Sequence, residues 1–431
     1  MRKTSRAWTA TYLVVLGLLA AGRTAVAHEP RPSEVLEWNQ AFTDALVATN
    51  TANSASPRIG AIVHTSIFDA YNGIERRYTP VFVRDRAPRG ASRRAAVVGA
   101  AYTALVALFP SQKDVLDARY AASVAALEEE DEDDRRSLER GLEWGAQVAQ
   151  AVLAWRASDG FGATYPPFRG GEAVGQWRPT PPAFAAMSSQ PLAFTSMFVL
   201  GSNAQFRPPA PRGLDSATYT QDFEAVKALG RKTGSTRTAD QTALAPFWES
   251  NASVHWNQAG NQMARAHCLS LSRSVRLFAL LNIAMADTSF TSFAGKRFYG
   301  ADPAAVTWRP QTAITLADTD DNPDTAPEVD WVPLITTPAH PEYPAGHPSL
   351  NGAGATALLL YFRDAQTFTL TSAGLPSRTY SRISDARADG NNARVWGGMH
   401  YPSTVAASDA EGAAIAQHVH RHAMLRVHGR R

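Results

Sequence analysis

The sequence predicts an all-α protein, either one all-helical domain or a pair of bundles, and three observations lead there. Apolar residues recur three and four positions apart over ten stretches, the spacing that gathers them on one face of a helix. Strand-like alternation is nearly absent, "TFTLTS" at 367–372 being the best case. The chain of 431 residues is 45% hydrophobic and has a single cysteine, Cys268, so stability must come from a large apolar core and not from disulfides within the chain.

The first 27 residues read as an export signal. Basic Arg2, Lys3 and Arg6 precede an apolar run from Ala7 to Gly22, and Ala25-Val26-Ala27 has the small-x-small pattern of a cleavage site. This predicts a secreted or periplasmic protein whose mature chain begins near His28. Residues 28–215 form an N-terminal helical half, with helices expected over 33–49, 58–74, 94–109, 113–127 and 135–156. It closes with a loop over 165–213, where nine prolines mix with aromatic residues. That composition is too apolar for a disordered linker, so the loop should be ordered and able to wall a pocket. Residues 216–431 form a C-terminal half, with helices over 218–230, 238–248, 272–296, 349–363 and 403–425. Cys268 falls in a helical pattern and reads as a small core residue. The apolar stretches Ala95–Phe109 and Val275–Ala286 are shorter than a spanning helix and read as core. No transmembrane segment is expected after signal cleavage.

Charge excludes one class of partner. Of 42 basic residues, Arg2, Lys3, Arg6 and Arg23 lie in or beside the signal, and the rest nearly balance 39 acidic ones. A near-neutral chain lacks the basic excess that binding to nucleic acid or anionic membranes needs, so no nucleic-acid partner is expected. Two acidic features are read as solvated. The run Glu128–Asp134 is a charged loop or helix end. The segment 317–334 spaces Asp318, Asp320, Asn322 and Asp324 like the start of a calcium loop, but it lacks the glycine at the sixth place and the glutamate at the twelfth.

The chemistry gathers in three segments of the second half: "GKRFYGADPAAVTWRP" (295–310), "YPAGHPS" (343–349) and "ARVWGGMH" (393–400). Together they offer Lys296, Arg309, Arg394, His347 and His400. A tetrahedral oxyanion taken out of water needs about that many cationic donors, and arginine forks fit its oxygens in pairs. Gly346, ahead of a helix, lets the backbone approach an anion with free N–H groups aimed at it. Gly397-Gly398 could bend the chain so that Arg394 and His400 reach one ion.

The order of these segments resembles the vanadium-dependent haloperoxidases and the wider superfamily of type 2 phosphatidic acid phosphatases and bacterial acid phosphatases. The three motifs correspond to Lys296 with Trp308-Arg309-Pro310, to Pro344-Ala345-Gly346-His347, and to Arg394 with His400 six residues on. The upstream stretches "SPRIGAIVHTSIFDAYNGI", "GQWRPTPP" and "DQTALAPFW" extend the likeness over most of the mature chain. The resemblance implies two helical bundles with long loops and little strand, and an oxyanion site at the end of one. It also implies that Lys296, Arg309 and Arg394 clamp a vanadate or phosphate, with the Gly346 N–H as a further donor. His400 would bond the central atom, the vanadium in a haloperoxidase, and His347 would be the general acid/base.

Three readings stay open. The first is a vanadate-dependent enzyme that oxidises halide with hydrogen peroxide. The second is a metal-independent acid phosphatase that cleaves phosphomonoesters or lipid phosphates through a phosphohistidine and needs no cofactor. The third is a non-enzymatic oxyanion-binding protein. The chain departs from the family pattern in ways that bear on the choice. Asp302 stands where the first motif's lysine belongs, so Lys296 fits only with an insertion near Gly300–Ala305, and Arg297 is the reserve. Ala345 and Ala393 replace motif serines, and Thr404 replaces an aspartate. Among the other histidines, His64 reads as a core residue, His418 and His422 as a solvated helix end, and His340 receives no role.

Overall fold

The computed structural model describes residues 33–130 and 135–427. The predicted signal, residues 131–134 of the acidic run and His428 lie outside them. The first half is helical where periodicity predicted it: α1 (Glu34–Ala48), α2 (Ser56–Glu75), α3 (Arg93–Leu108), α4 (Lys113–Glu130) and α5 (Arg135–Ala157). Start signals are in place. The Ser92 side chain caps α3 by accepting from the Ala95 N–H, and proline stands at the start of α2.

The second half holds α6 (Ala217–Gly230), α7 (Ala239–Phe247), α8 (Ala252–Ala266), α9 (Leu271–Ala301), α10 (Pro310–Thr315), α11 (Gly346–Leu359), α12 (Ile383–Trp396) and α13 (Pro402–His422). Periodicity missed α8, α10 and α12. The buried face of α8 mixes Val254, Trp256 and Met263 with polar Ser253, His255, Asn257 and Asn261, and α12 is rich in charge, so neither shows a clean apolar stripe. A hairpin of β1 (Ala365–Leu370) and β2 (Arg378–Arg382) contains the predicted strand and a second, unpredicted one. Cys268 is exposed and not a core residue. α8 ends two residues earlier, and Cys268 sits in the following turn at φ 45°.

Helix α9 is the axis of the fold. It is long and apolar enough to cross a membrane, yet that apolar window lies wholly inside the protein, packed against α2, α11 and α13. Among buried polar groups, His64 of α2 bonds Asn39 at 2.9 Å, and burial pushes its imidazole down to about 3. The proline-rich loop is ordered because Asp287 of α9 accepts the N–H groups of Phe198, Val199 and Leu200 at 2.7–3.0 Å. At 317–334, the Asp320 carboxylate accepts the Thr325 hydroxyl at 2.9 Å, the geometry of a turn. His418 and His422 stack on each other near the end of α13.

Two helices bring the histidine segments together. A Cβ at Gly412 of α13 would lie 1.8 Å from the Ser349 carbonyl, and one at Gly352 of α11 would lie 2.2 Å from that of Asp409. Only glycine permits this crossing, and it sets the N-termini of α11 and α13 side by side.

Candidate active site

Four segments build the site. Lys296, in the last turns of α9, is fully buried, and its ammonium donates to the carbonyls of Pro341 at 2.7 Å and Glu342 at 3.2 Å. The helix phase separates it from its neighbour: the Arg297 guanidinium lies 4.1 Å from the Phe168 ring centre, turned away from the site. α9 runs on to Ala301, and Asp302 accepts the Ala304 N–H in the turn that follows. The extra residues inferred near Gly300–Ala305 are therefore helix end and turn.

Arg309 precedes α10, whose first residue is Pro310, and Tyr401 precedes α13, whose first residue is Pro402. Proline has no N–H to satisfy and a fixed φ, so it marks helix starts and holds Arg309 and the His400 segment just outside them. Arg309 is fully buried. Its guanidinium donates to His400 Nε2 at 3.2 Å, to His340 Nδ1 at 2.7 Å and to the Met399 and His340 carbonyls at 2.9 and 2.8 Å. Arg394, in the last turn of α12, is 1% exposed and lies 3.5 Å from Glu249. Gly398, at φ 78°, turns the chain between Arg394 and His400, and a Cβ there would meet the Gly230 carbonyl at 2.6 Å.

His400 is held by the carboxylate of Glu342, a residue no motif singled out. Its Nδ1 donates to Glu342 at 2.9 Å, and the same carboxylate accepts the Tyr401 N–H at 3.1 Å and the Thr404 hydroxyl at 2.9 Å. With Glu342 ionised, its carboxylate can only accept, so Nδ1 carries the proton and the Nε2 lone pair faces Arg309. Thr404 stands where the family pattern has an aspartate, and here Glu342 supplies the carboxylate from another loop. His347, at the start of α11, has Nε2 at 3.2 Å from both the Asn53 amide nitrogen and the Glu249 carbonyl. Asn53 is oriented because its oxygen accepts the Ala252 N–H at 2.8 Å.

Burial dominates the electrostatics. It pushes Lys296 well below the usual lysine range, helped by Arg309, and takes Arg309 down to about 9. His340, His347 and His400 are all driven below the ordinary histidine range by burial and by nearby cations, so they are neutral at pH 7. Glu342 is pushed up to about 7, burial outweighing the pull of Arg309. Three cations crowded against few carboxylates form a site short of negative charge.

A cavity of about 260 Å³ opens onto this cluster, lined by Gly346, His347, Arg394, His400, His340 and Ser292 among others. A Cβ built at Gly346 meets nothing within 4 Å, so the helix start faces open space. The Arg394 Nε is buried without a hydrogen-bond partner. Ser188 and Ser189 of the proline-rich loop wall the opposite side, as the loop's composition suggested. Besides Glu342, sequence reasoning missed His340, Asn53 and Ser292 as site residues.

Fold and site together define a helical protein with a buried pocket that is cationic and bears histidines. Residues 276–429 match the family model for the VCPO second helical-bundle domain. Among solved structures, the chain resembles that described as the first bacterial vanadium-dependent iodoperoxidase, with TM-score 0.77 and 22% identity over 92% of this chain and 98% of that one. It also resembles a bacterial vanadium-dependent chloroperoxidase in its apo form, with TM-score 0.64 and 18% identity over 85% and 92% of the two chains. The holo form gives TM-score 0.63 and 18% identity over 85% and 91%. The search of curated sequences gives no significant match. The chain thus has the fold of the vanadium-dependent haloperoxidases, and its residues 276–429 match the VCPO second helical-bundle domain.

Proposed function

We propose that this protein is an exported, vanadate-binding enzyme that oxidises halide with hydrogen peroxide. The observation that carries the reading is His400: its Nδ1 proton is held by Glu342, and its Nε2 lone pair is presented among Lys296, Arg309 and Arg394. An imidazole in that tautomer suits a bond to a central atom, and the surrounding cations suit the oxygens around it. The residues present fit vanadate, with open space at Gly346 and an unused donor on Arg394.

Lys296, Arg309 and Arg394 would balance the charge of a bound vanadate, the Gly346 N–H would be a further donor to it, and His400 would hold it through Nε2. Bound vanadate supplies the electrophilic centre that activates peroxide toward halide. His347, neutral and oriented by Asn53, would take up and return the proton. Pro338 and Ser188-Ser189 wall the cavity. Protein loaded with vanadate and supplied with peroxide should halogenate a phenol-type dye with iodide or bromide, and no halogenation at any pH would sink the proposal.

The His400–Glu342 pair also favours a second reading. A carboxylate-oriented imidazole is a nucleophile: Nε2 bonds phosphorus as the phosphorus–ester oxygen bond breaks, His347, protonated in acid, gives its proton to the leaving oxygen, and a water that returns a proton to His347 then cleaves the phosphohistidine. Ester hydrolysis that survives chelators and is blocked by vanadate would select this phosphatase reading over the first.

A further inference from the structure

We propose that Ser292 is an oxyanion-binding residue whose hydroxyl donates to the bound vanadate or phosphate, supplying the hydrogen bond lost with Ala345 and Ala393; this rests on the oxyanion reading of the cradle. Five serines line the cavity, and four are already engaged. Ser54 and Ser189 bond each other at 2.7 Å, Ser188 donates to the Ala339 carbonyl at 3.2 Å, and Ser289 donates to that of Ser54 at 3.0 Å. Ser292 differs. Its residue is 1% exposed, and its oxygen has no partner, not even the helix carbonyl that its neighbour Thr291 uses. A buried hydroxyl left unsatisfied is costly, and one aimed into a cavity can recover that cost from a ligand. Thr288 is likewise unpartnered, but it does not line the cavity.

Position supports the assignment. Ser292 lies one turn ahead of Lys296 on α9, so the two share a helix face. The ammonium and the hydroxyl therefore reach the site from one rigid element. Ala345, the motif position, is fully buried as the cap residue of α11, where its N–H donates to Ser408 at 2.7 Å. The hydroxyl has thus moved from the α11 loop to α9.

The test is calorimetric titration of the full chain with orthophosphate and with orthovanadate, comparing wild type and Ser292→Ala, with thermal melts of both in the absence of anion. A hydrogen bond to a charged group is worth about a tenfold change in affinity or more, so Ser292→Ala should bind both anions at least about tenfold more weakly. The anion-free melting temperature should stay the same or rise, because the change removes an unsatisfied buried group. Unchanged affinity for both anions overturns the proposal, and so does a lower anion-free melting temperature, which would show the hydroxyl to be structural. Failure of the wild type to bind either anion overturns the cradle reading itself, and the Ser292 role with it.

Discussion

Replacing Glu342 by glutamine should separate two kinds of anion binding that the proposed site combines. The carboxylate holds His400 Nδ1 at 2.9 Å, with the Tyr401 N–H and the Thr404 hydroxyl completing its shell. Glutamine keeps the shape and an acceptor but loses the charge. Exchanging a charge-assisted for a neutral bond on the imidazole costs about 1–1.5 kcal/mol, or about tenfold in affinity. That sits at the low end of the roughly 10–100-fold usual when the partner of a ligating histidine is changed. The bond from His400 to a central atom should weaken accordingly. Purely electrostatic binding should not, since losing a negative charge beside Lys296 and Arg309 leaves those cations less compensated. The assay is equilibrium dialysis with vanadate beside calorimetry with phosphate, at pH 8, where Glu342, pushed up to about 7, is ionised. Vanadate should bind about tenfold more weakly, with phosphate bound equally or tighter. Parallel weakening of both, or no change in either, would refute the assignment of His400 as the bonding residue.

Two other changes test separate parts of the structure. His347→Ala should leave vanadate bound while turnover drops by roughly 10²–10⁴, the worth of a positioned acid/base; equal loss of binding would move His347 from proton transfer to the clamp. His64 should impose a pH signature on stability. Its folded value is about 3 against 6.5 when exposed, so below pH 6.5 the unfolded chain takes up a proton that the folded chain refuses. Its contribution is therefore present above 6.5 and lost as pH falls. Relative to His64→Gln, wild-type unfolding free energy from urea titrations should decline by about 1.4 kcal/mol per pH unit between 6 and 4. Parallel pH curves would refute the burial argument.

The helical class and most helices were legible because apolar spacing survives wherever a helix lays one face on a core. α8 and α12 escaped because Asn257 and Asn261 are buried through hydrogen bonds and α12 carries charge along its length. Cys268 was misplaced because periodicity does not mark where α8 turns into its αL exit. In the site, the residues proposed as the clamp were readable as motifs with glycine and proline punctuation. Sequence left Lys296 and Arg297 undecided, and helix phase decides between them: one faces the core of the site, the other the Phe168 ring. Glu342 and Ser292 were opaque for another reason. Each acts through a contact made by tertiary packing, Glu342 across a proline-rich loop and Ser292 through its place on α9, and neither has a local signature.

The central claim is that His400 turns a cationic pocket into one that bonds the centre of an oxyanion. Its direct test is vanadium retained after gel filtration, measured by elemental analysis on wild type and His400→Ala loaded with vanadate. Wild type should carry stoichiometric vanadium through the column. His400→Ala should emerge without it while still binding phosphate reversibly, because the three cations alone give exchangeable binding. Equal retention by both proteins would contradict the claim.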